Sequence, residues 1–136
     1  IGGGDPLKTI FEATERKGRF TVCAQVNVLG DDLLVILWGG EEHIGAVGMA
    51  QPRPSLSDPS RIGATSSVFT YVGHKEDVVV KMMSEGIAGG LNRKVVVVAG
   101  IHWDGITTEG IEIIMRLCGN ILKKIVKEGR KWKKES

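Results

Sequence analysis

Apolar and polar residues alternate along residues 20–29, and this period of two predicts a β-strand with one buried face. After a turn at residues 30–32, residues 33–38 are apolar without interruption. We expect this second segment to be a hairpin partner in the sheet interior, with other groups packed above and below it. Residues 95–98 are four consecutive valines, and β-branched side chains favour a buried strand over a helix.

Other segments give weaker strand patterns. Residues 7–15 fit either a short helix opened by Asp5 and Pro6 or an edge strand, and we favour the strand. Residues 46–50 and 66–72 have strand composition. Residues 51–63 contain three prolines and several serines, which predicts a surface loop, either a lid or partner-facing loop or a plain connection.

Two helices follow from the spacing of apolar residues. The first begins near Glu76 and Asp77, where acidic side chains suit the helix dipole, and ends near Asn92. The second covers about residues 107–128, with one apolar stripe and lysines at its end. The chain therefore predicts an α+β fold, in which a mostly antiparallel or mixed sheet of five to six strands carries two main helices. We expect a single domain over residues 7–128, a disordered or trimmed segment at 1–6 and a basic tail at 129–136.

Composition restricts the class of protein. Cys23 and Cys118 fall in predicted elements, which indicates core residues of a reduced, cytoplasmic protein. We expect no membrane partner, because the chain has no membrane-length apolar run and no signal peptide. The net charge is only +2, and the sparse aromatic residues give no base-stacking pattern, so we expect no nucleic-acid partner.

The three histidines all fall at the ends of predicted elements. They are His43, His74 and His102. If the sheet brings these ends to one edge, the imidazoles converge on a phosphate, a polar ring system or a metal; otherwise each caps its own turn. The spacing does not favour a metal. No serine sits in a strand-to-helix elbow and both cysteines are predicted to be buried, so we expect no catalytic nucleophile.

The motifs around these histidines resemble one family over about residues 20–126. They are the apolar run 33–38 followed by Gly39-Gly40, then His43-Ile44-Gly45, His74-Lys75-Glu76 and Ala99-Gly100-Ile101-His102. Together they resemble the D-subunit family of gallate-type phenolic-acid decarboxylases, a prenylated-flavin chaperone-like domain. Its layout is similar to that of the small proteasome-assembly chaperones, which pair as dimers.

The resemblance implies an accessory chaperone that binds prenylated FMN, or FMN, and assists maturation of a UbiD-like decarboxylase. It implies a homodimer with no catalytic residue. Trp103 or Trp38 would offer a stacking face, although Trp38 fits the core better. The implied cofactor site has three walls: Gly39, Gly40, His43 and Gly45 form the first, His74 and Lys75 the second, and His102 with Asp104 the third.

Two other functions remain open at the level of sequence. One is a non-enzymatic assembly factor of the proteasome-chaperone type, which binds a protein through its sheet or its proline-rich segment. The other is a small metal-binding protein or metal-dependent enzyme that uses the three histidines.

Overall fold

The computed structural model describes residues 7–71 and 76–134. These residues form six strands and two helices, and so confirm the α+β class. The elements are β1 (Lys8–Lys17), β2 (Phe20–Leu29), β3 (Asp32–Gly40), β4 (Ala46–Pro54), β5 (Ile62–Thr70), α1 (Asp77–Leu91), β6 (Val95–His102) and α2 (Thr108–Gly129). None of the described helices has the length and apolarity needed to cross a bilayer.

The strands form one sheet in the order β1-β2-β3-β6-β4-β5. Four of its neighbouring pairs are antiparallel, whereas β3 and β6 run parallel at its centre. Val35 of β3 lies opposite Val97 of β6, and both side chains are fully buried. The sheet is therefore mixed, as predicted, and its two halves are joined by a buried valine-rich contact.

Both helices pack on one face of the sheet. The buried residues of β2, β3 and β6 alternate along each strand and face Met83 and Ile87 of α1 and Ile121 of α2. The expectation that β3 is covered on both sides is wrong for the described chain. Its other face carries Leu34 and Ile36, which are half-buried and have no helix above them. We call this side of the sheet the open face.

Glycines let α1 approach its neighbours closely. A Cβ on Gly48 of β4 would lie 2.7 Å from the backbone oxygen of Val80, so α1 rests directly on this strand. A Cβ on Gly86 would likewise lie 2.7 Å from Leu122 of α2. Val79 and Val80 are helical despite their strand propensity, because both are buried by this packing.

The proline-rich segment is more ordered than a loop. β4 and β5 remain paired through Pro52 with Ala64 and Pro54 with Ile62, so only residues 55–61 connect them. β6 pairs with β4 only as far as Ala50, and beyond that point β4 is an edge. Prolines lack a backbone N–H. At alternate positions of a strand, the lost donors all belong to the unpaired side of β4, so the hydrogen bonds to β5 are kept. The loop prediction for residues 51–63 is therefore wrong at both ends.

Residues 130–134, inside the predicted basic tail, contact the rest of the domain. The Trp132 ring lies 6.2 Å from the Phe11 ring, and its backbone oxygen accepts a hydrogen bond of 3.1 Å from the buried Arg93. The other Arg93 nitrogen donates to the Asp31 carbonyl at 3.1 Å. These two bonds give the buried guanidinium two acceptors and hold the residues after α2 against the segment that precedes β6.

We predict that Gly48→Ala lowers the free energy of unfolding by about 1–3 kcal/mol, because the new methyl overlaps the backbone of α1. Gly119→Ala is the matched control, because a Cβ there meets nothing within 4 Å. It should be neutral or stabilising, because alanine is more favourable than glycine inside a helix. Urea denaturation measures both variants. Equal stability of the two would contradict the close packing described for Gly48.

Candidate functional site

One edge of the sheet collects most of the predicted site residues. β3 and β6 are parallel, so their carboxyl ends lie side by side, with Gly40 opposite His102. The segment 41–45 then links β3 to β4 across this edge. It is held at both ends, because the Glu41 N–H donates to the His102 carbonyl at 2.9 Å and the Gly45 N–H donates to the Ala99 carbonyl at 2.8 Å.

His43 connects this segment to the start of α1. Its Nδ1 lies 2.8 Å from the carbonyl oxygen of Glu41, and a carbonyl only accepts, so Nδ1 carries a proton. Its Nε2 lies 2.9 Å from Glu76 Oε1. The same carboxylate oxygen accepts from the backbone N–H of Ile101 at 3.3 Å. Glu76 is 5 % exposed, so this buried carboxyl group ties together α1, β6 and the 41–45 segment.

The surroundings favour a protonated His43. Burial alone would lower the pKa of this imidazole, but the hydrogen bond to the Glu41 carbonyl and the bond and charge of Glu76 outweigh it, so the pKa is raised. In the imidazolium form both ring nitrogens donate, which matches the two acceptors that face them. The side chain is 18 % exposed, so solvent screens this pair only weakly.

His102 is the more accessible of the two described imidazoles. Its side chain is 47 % exposed, and Nε2 lies 3.1 Å from Asp104 Oδ1 and 3.9 Å from Glu41 Oε2. The centroids of the His43 and His102 rings are 6.3 Å apart and the rings are nearly perpendicular. The edge therefore presents one exposed imidazole between two carboxylates, beside a second imidazole that is held by the fold.

The glycines of the predicted first wall fit against the site's own atoms. The space beside Gly39 is filled by the Trp103 ring, the space beside Gly40 by the His102 carbonyl, and the space beside Gly45 by the Glu76 carboxylate. Gly40 also has φ +70°, which favours glycine. Close packing thus accounts for all three glycines, and their contact with a ligand stays a prediction.

The structure brings some of the predicted site residues together. His43, His102 and Asp104 do meet at one edge, whereas His74 and Lys75 lie outside the described residues. The contacts of Glu76 with His43 and of Glu41 with His102 were not predicted; Glu76 appeared only at a helix start and in the His74-Lys75-Glu76 motif. Within the described ranges, no group of three or more His, Cys, Asp and Glu side chains is arranged to hold a metal.

The expectation that Trp38 fits the core better than Trp103 is wrong. Trp103 packs against the core with its ring 5.1 Å from the Phe20 ring, edge to face. Trp38 lies on the open face, half-buried and opposite Cys23 of β2. Trp38, not Trp103, therefore offers a ring to the side of the sheet that the described helices leave uncovered.

A cavity of about 370 Å³ lies at the other end of the sheet. It opens where β4 separates from β6, between Met49, Ser67 and Val96 on the open face and Lys94 on the rim. Lys94 is paired with Asp32 at 3.2 Å. This cavity and the imidazoles are at opposite ends of β6, so they are two separate candidate positions for a ligand.

The raised pKa of His43 predicts a pH-dependent stability. Its contribution is complete below about pH 6.5, the ordinary pKa, and is lost as the pH rises through the raised value. We expect His43→Gln to cost about 1–2 kcal/mol at acidic pH, and the difference from wild type to shrink toward alkaline pH. Urea denaturation of both proteins between about pH 5.5 and 8.5 measures it, with the imidazole pKa followed by NMR. A difference that does not change with pH would contradict the protonated pair.

Comparison with known proteins agrees with the family suggested by the motifs. The sequence-family model named prenylated flavin chaperone LpdD-like domain matches residues 16–130 of this chain. A crystal structure of a chaperone complex for yeast 20S proteasome assembly is similar over 90 % of this chain and 99 % of its own, with 14 % identity and a TM-score of 0.44. No curated protein sequence matches the chain. On the family match over most of its length, the chain belongs to the LpdD-like prenylated flavin chaperone family.

Proposed function

We propose that this protein binds prenylated FMN, or FMN, and delivers it to a UbiD-like decarboxylase in the cytoplasm as a non-enzymatic accessory chaperone and a homodimer. The family match over residues 16–130 is the observation that carries this proposal. The convergence of His43 and His102 at one sheet edge supports it, because a cofactor carrier needs directed polar groups.

The exposed groups at this edge suit the polar side of a flavin better than its phosphate. A flavin ring and its ribityl chain carry N–H and hydroxyl donors as well as carbonyl acceptors. His102 can donate to an acceptor, and Asp104 and Glu41 can accept from donors. These two carboxylates would repel a phosphate dianion at the same place. We therefore propose that His102 and Asp104 bind the ring or the ribityl chain, beside a wall that includes Gly39, Gly40, His43 and Gly45.

The phosphate group of FMN would need cationic side chains away from these two carboxylates. His74 and Lys75 directly precede Glu76 in the sequence, and Glu76 bonds to His43. We propose that these two residues bind the phosphate group. The flavin supplies all the redox chemistry when it is bound, and the protein holds and orients it.

A binding role is consistent with how His43 is held. Both of its nitrogens are already hydrogen-bonded, to Glu41 and to Glu76, so a proton transfer to a ligand would have to break one of these bonds. Cys118 is fully buried, and burial raises the pKa of its thiol to about 12, which makes it a poor nucleophile.

Titration of the protein with FMN and with reduced prenylated FMN, followed by the flavin spectrum, tests the proposal. We expect binding by the wild type and about tenfold weaker binding by His102→Ala, which loses one hydrogen-bonding group. Lys94→Ala is the control, because it removes a cation at the opposite end of the sheet, beside the cavity. A loss of binding in Lys94→Ala alone would move the flavin to the cavity, and no spectral change in the wild type would reject the chaperone proposal.

A protein-assembly factor is the second candidate. The hairpin of β4 and β5 extends past β6, and Leu56 in its connection is 88 % exposed, which suits a protein contact. In that case His102→Ala leaves binding to the decarboxylase unchanged, whereas Leu56→Asp weakens it. A pull-down with the purified decarboxylase distinguishes the two, because a flavin-dependent complex is expected only of the cofactor chaperone.

A further inference from the structure

The open face of the sheet carries a continuous apolar surface. Neighbouring strands place its residues side by side, with Leu34 opposite Val96, Ile36 opposite Val98, and Val98 opposite Val47. We call the whole set the open-face strip, and it consists of Leu34, Ile36, Trp38, Val47, Met49, Phe69, Val96 and Val98. Neither described helix covers it, since both pack on the other side.

All eight side chains of the strip are at least partly accessible to water in the single chain. Met49 is 54 % exposed and Phe69 is 64 % exposed, and the other six residues are half-buried. Exposed apolar patches of this kind mark interaction surfaces on soluble proteins. Both faces of β3 and β6 carry apolar residues, which is expected of strands that are covered on both faces. The sequence is thus that of a sheet with a second layer.

The dimensions of this face match those of a stable protein interface. Six strands about 4.8 Å apart give a width of about 29 Å. Strands of eight to ten residues, at about 3.3 Å each, give a length of about 30 Å. The product for the whole face, the strip together with the more polar surface of β1 and β2, is close to the roughly 800 Å² that each partner contributes to a standard interface. A flavin or a short peptide would leave most of this area in water.

The charges around the strip are compatible with a second copy of the same surface. Its interior has no charged residue, and the edges of the open face carry both signs. Glu12 lies beside Gln25, Arg16 donates to Thr21, and Arg53 donates to Thr65. An apolar centre inside a polar rim of mixed sign is typical of interfaces and does not repel its own copy.

We infer that two copies of this chain pack their open faces together, so that the dimer is a sheet-on-sheet sandwich with the helices outside. This inference rests on the homodimer of the proposed function and names its surface. Two sheets in such a sandwich lie about 10 Å apart, and their side chains interdigitate. The contact is isologous, so each open-face strip covers the other.

Sedimentation equilibrium of the full chain tests the inference with two isoleucine variants. We expect the wild type to have twice the 14.7 kDa of one chain, and Ile36→Lys to be a monomer, because a lysine in the centre of the strip would be buried without a partner. Ile111→Lys is the matched control and should remain a dimer. Ile111 is 50 % exposed on α2, away from the open face.

Met49→Lys is a second variant, included in case Ile36→Lys does not fold. The Met49 side chain is already 54 % exposed in the single chain, so a lysine there should not disturb the fold. It too should be monomeric, with an unchanged circular dichroism spectrum. A monomeric wild type, or a folded Met49→Lys variant that remains a dimer, would overturn the inference.

The thiols supply a second readout. Cys23 lies on the open face beside Trp38, whereas Cys118 is fully buried in the core. Alkylation of Cys23 should slow as the wild-type concentration rises and should be independent of concentration in Met49→Lys. Cys118 should stay unreactive in both. Equal concentration dependence in the two proteins would also reject the open face as the interface.

The outcome is independent of flavin binding. A monomer that binds prenylated FMN would reject this interface and the homodimer, and would keep the cofactor-binding role of the proposed function. A dimer that binds no flavin, and that Met49→Lys dissociates, would keep this interface and reject the cofactor-binding role.

Discussion

The parallel pairing of β3 with β6 is the contact on which the rest of this structure depends. It joins the β1–β3 half of the sheet to the half formed by β4, β5 and β6, through fully buried valines such as Val35 and Val97. A parallel pair also requires that both strands end at the same edge. This requirement places His102, at the end of β6, beside the segment that carries His43. The site is thus a direct consequence of strand direction at the centre of the sheet.

Close approach between backbone segments then completes that edge. Gly45 leaves room for the Glu76 carboxylate, and Gly100 leaves room for the backbone of His43. Without these glycines the 41–45 segment could not lie over β6, and Glu76 could not reach both His43 and the Ile101 amide. Close packing therefore explains these glycines without a ligand, and it brings the polar groups of the candidate site together.

The one-sided placement of the helices gives the domain two different faces. The helix side is a closed core, in which residues such as Met83 and Ile121 are fully buried. On β3 and β6 the open face has the composition of a buried layer but is covered by neither described helix. The core on one face thus stabilises the fold, while the other face and the carboxyl ends of β3 and β6 are not covered by either described helix.

The sequence by itself determined the elements of this protein and their class. A period of two identified β2, apolar runs identified β3 and β6, and a spacing of about 3.6 identified both helices. The pattern of β1 fitted a helix as well as a strand, and the strand predictions at 46–50 and 66–72 were shorter than or displaced from β4 and β5. The motifs also identified the family and gathered His43, His102 and Asp104 as one group. Only the tertiary structure decided that β3 is covered on one side, that prolines continue β4 as an edge, and that Glu76 lies buried against His43. Each of these depends on which distant segment is adjacent, and a local pattern records only that a residue is buried, not what buries it.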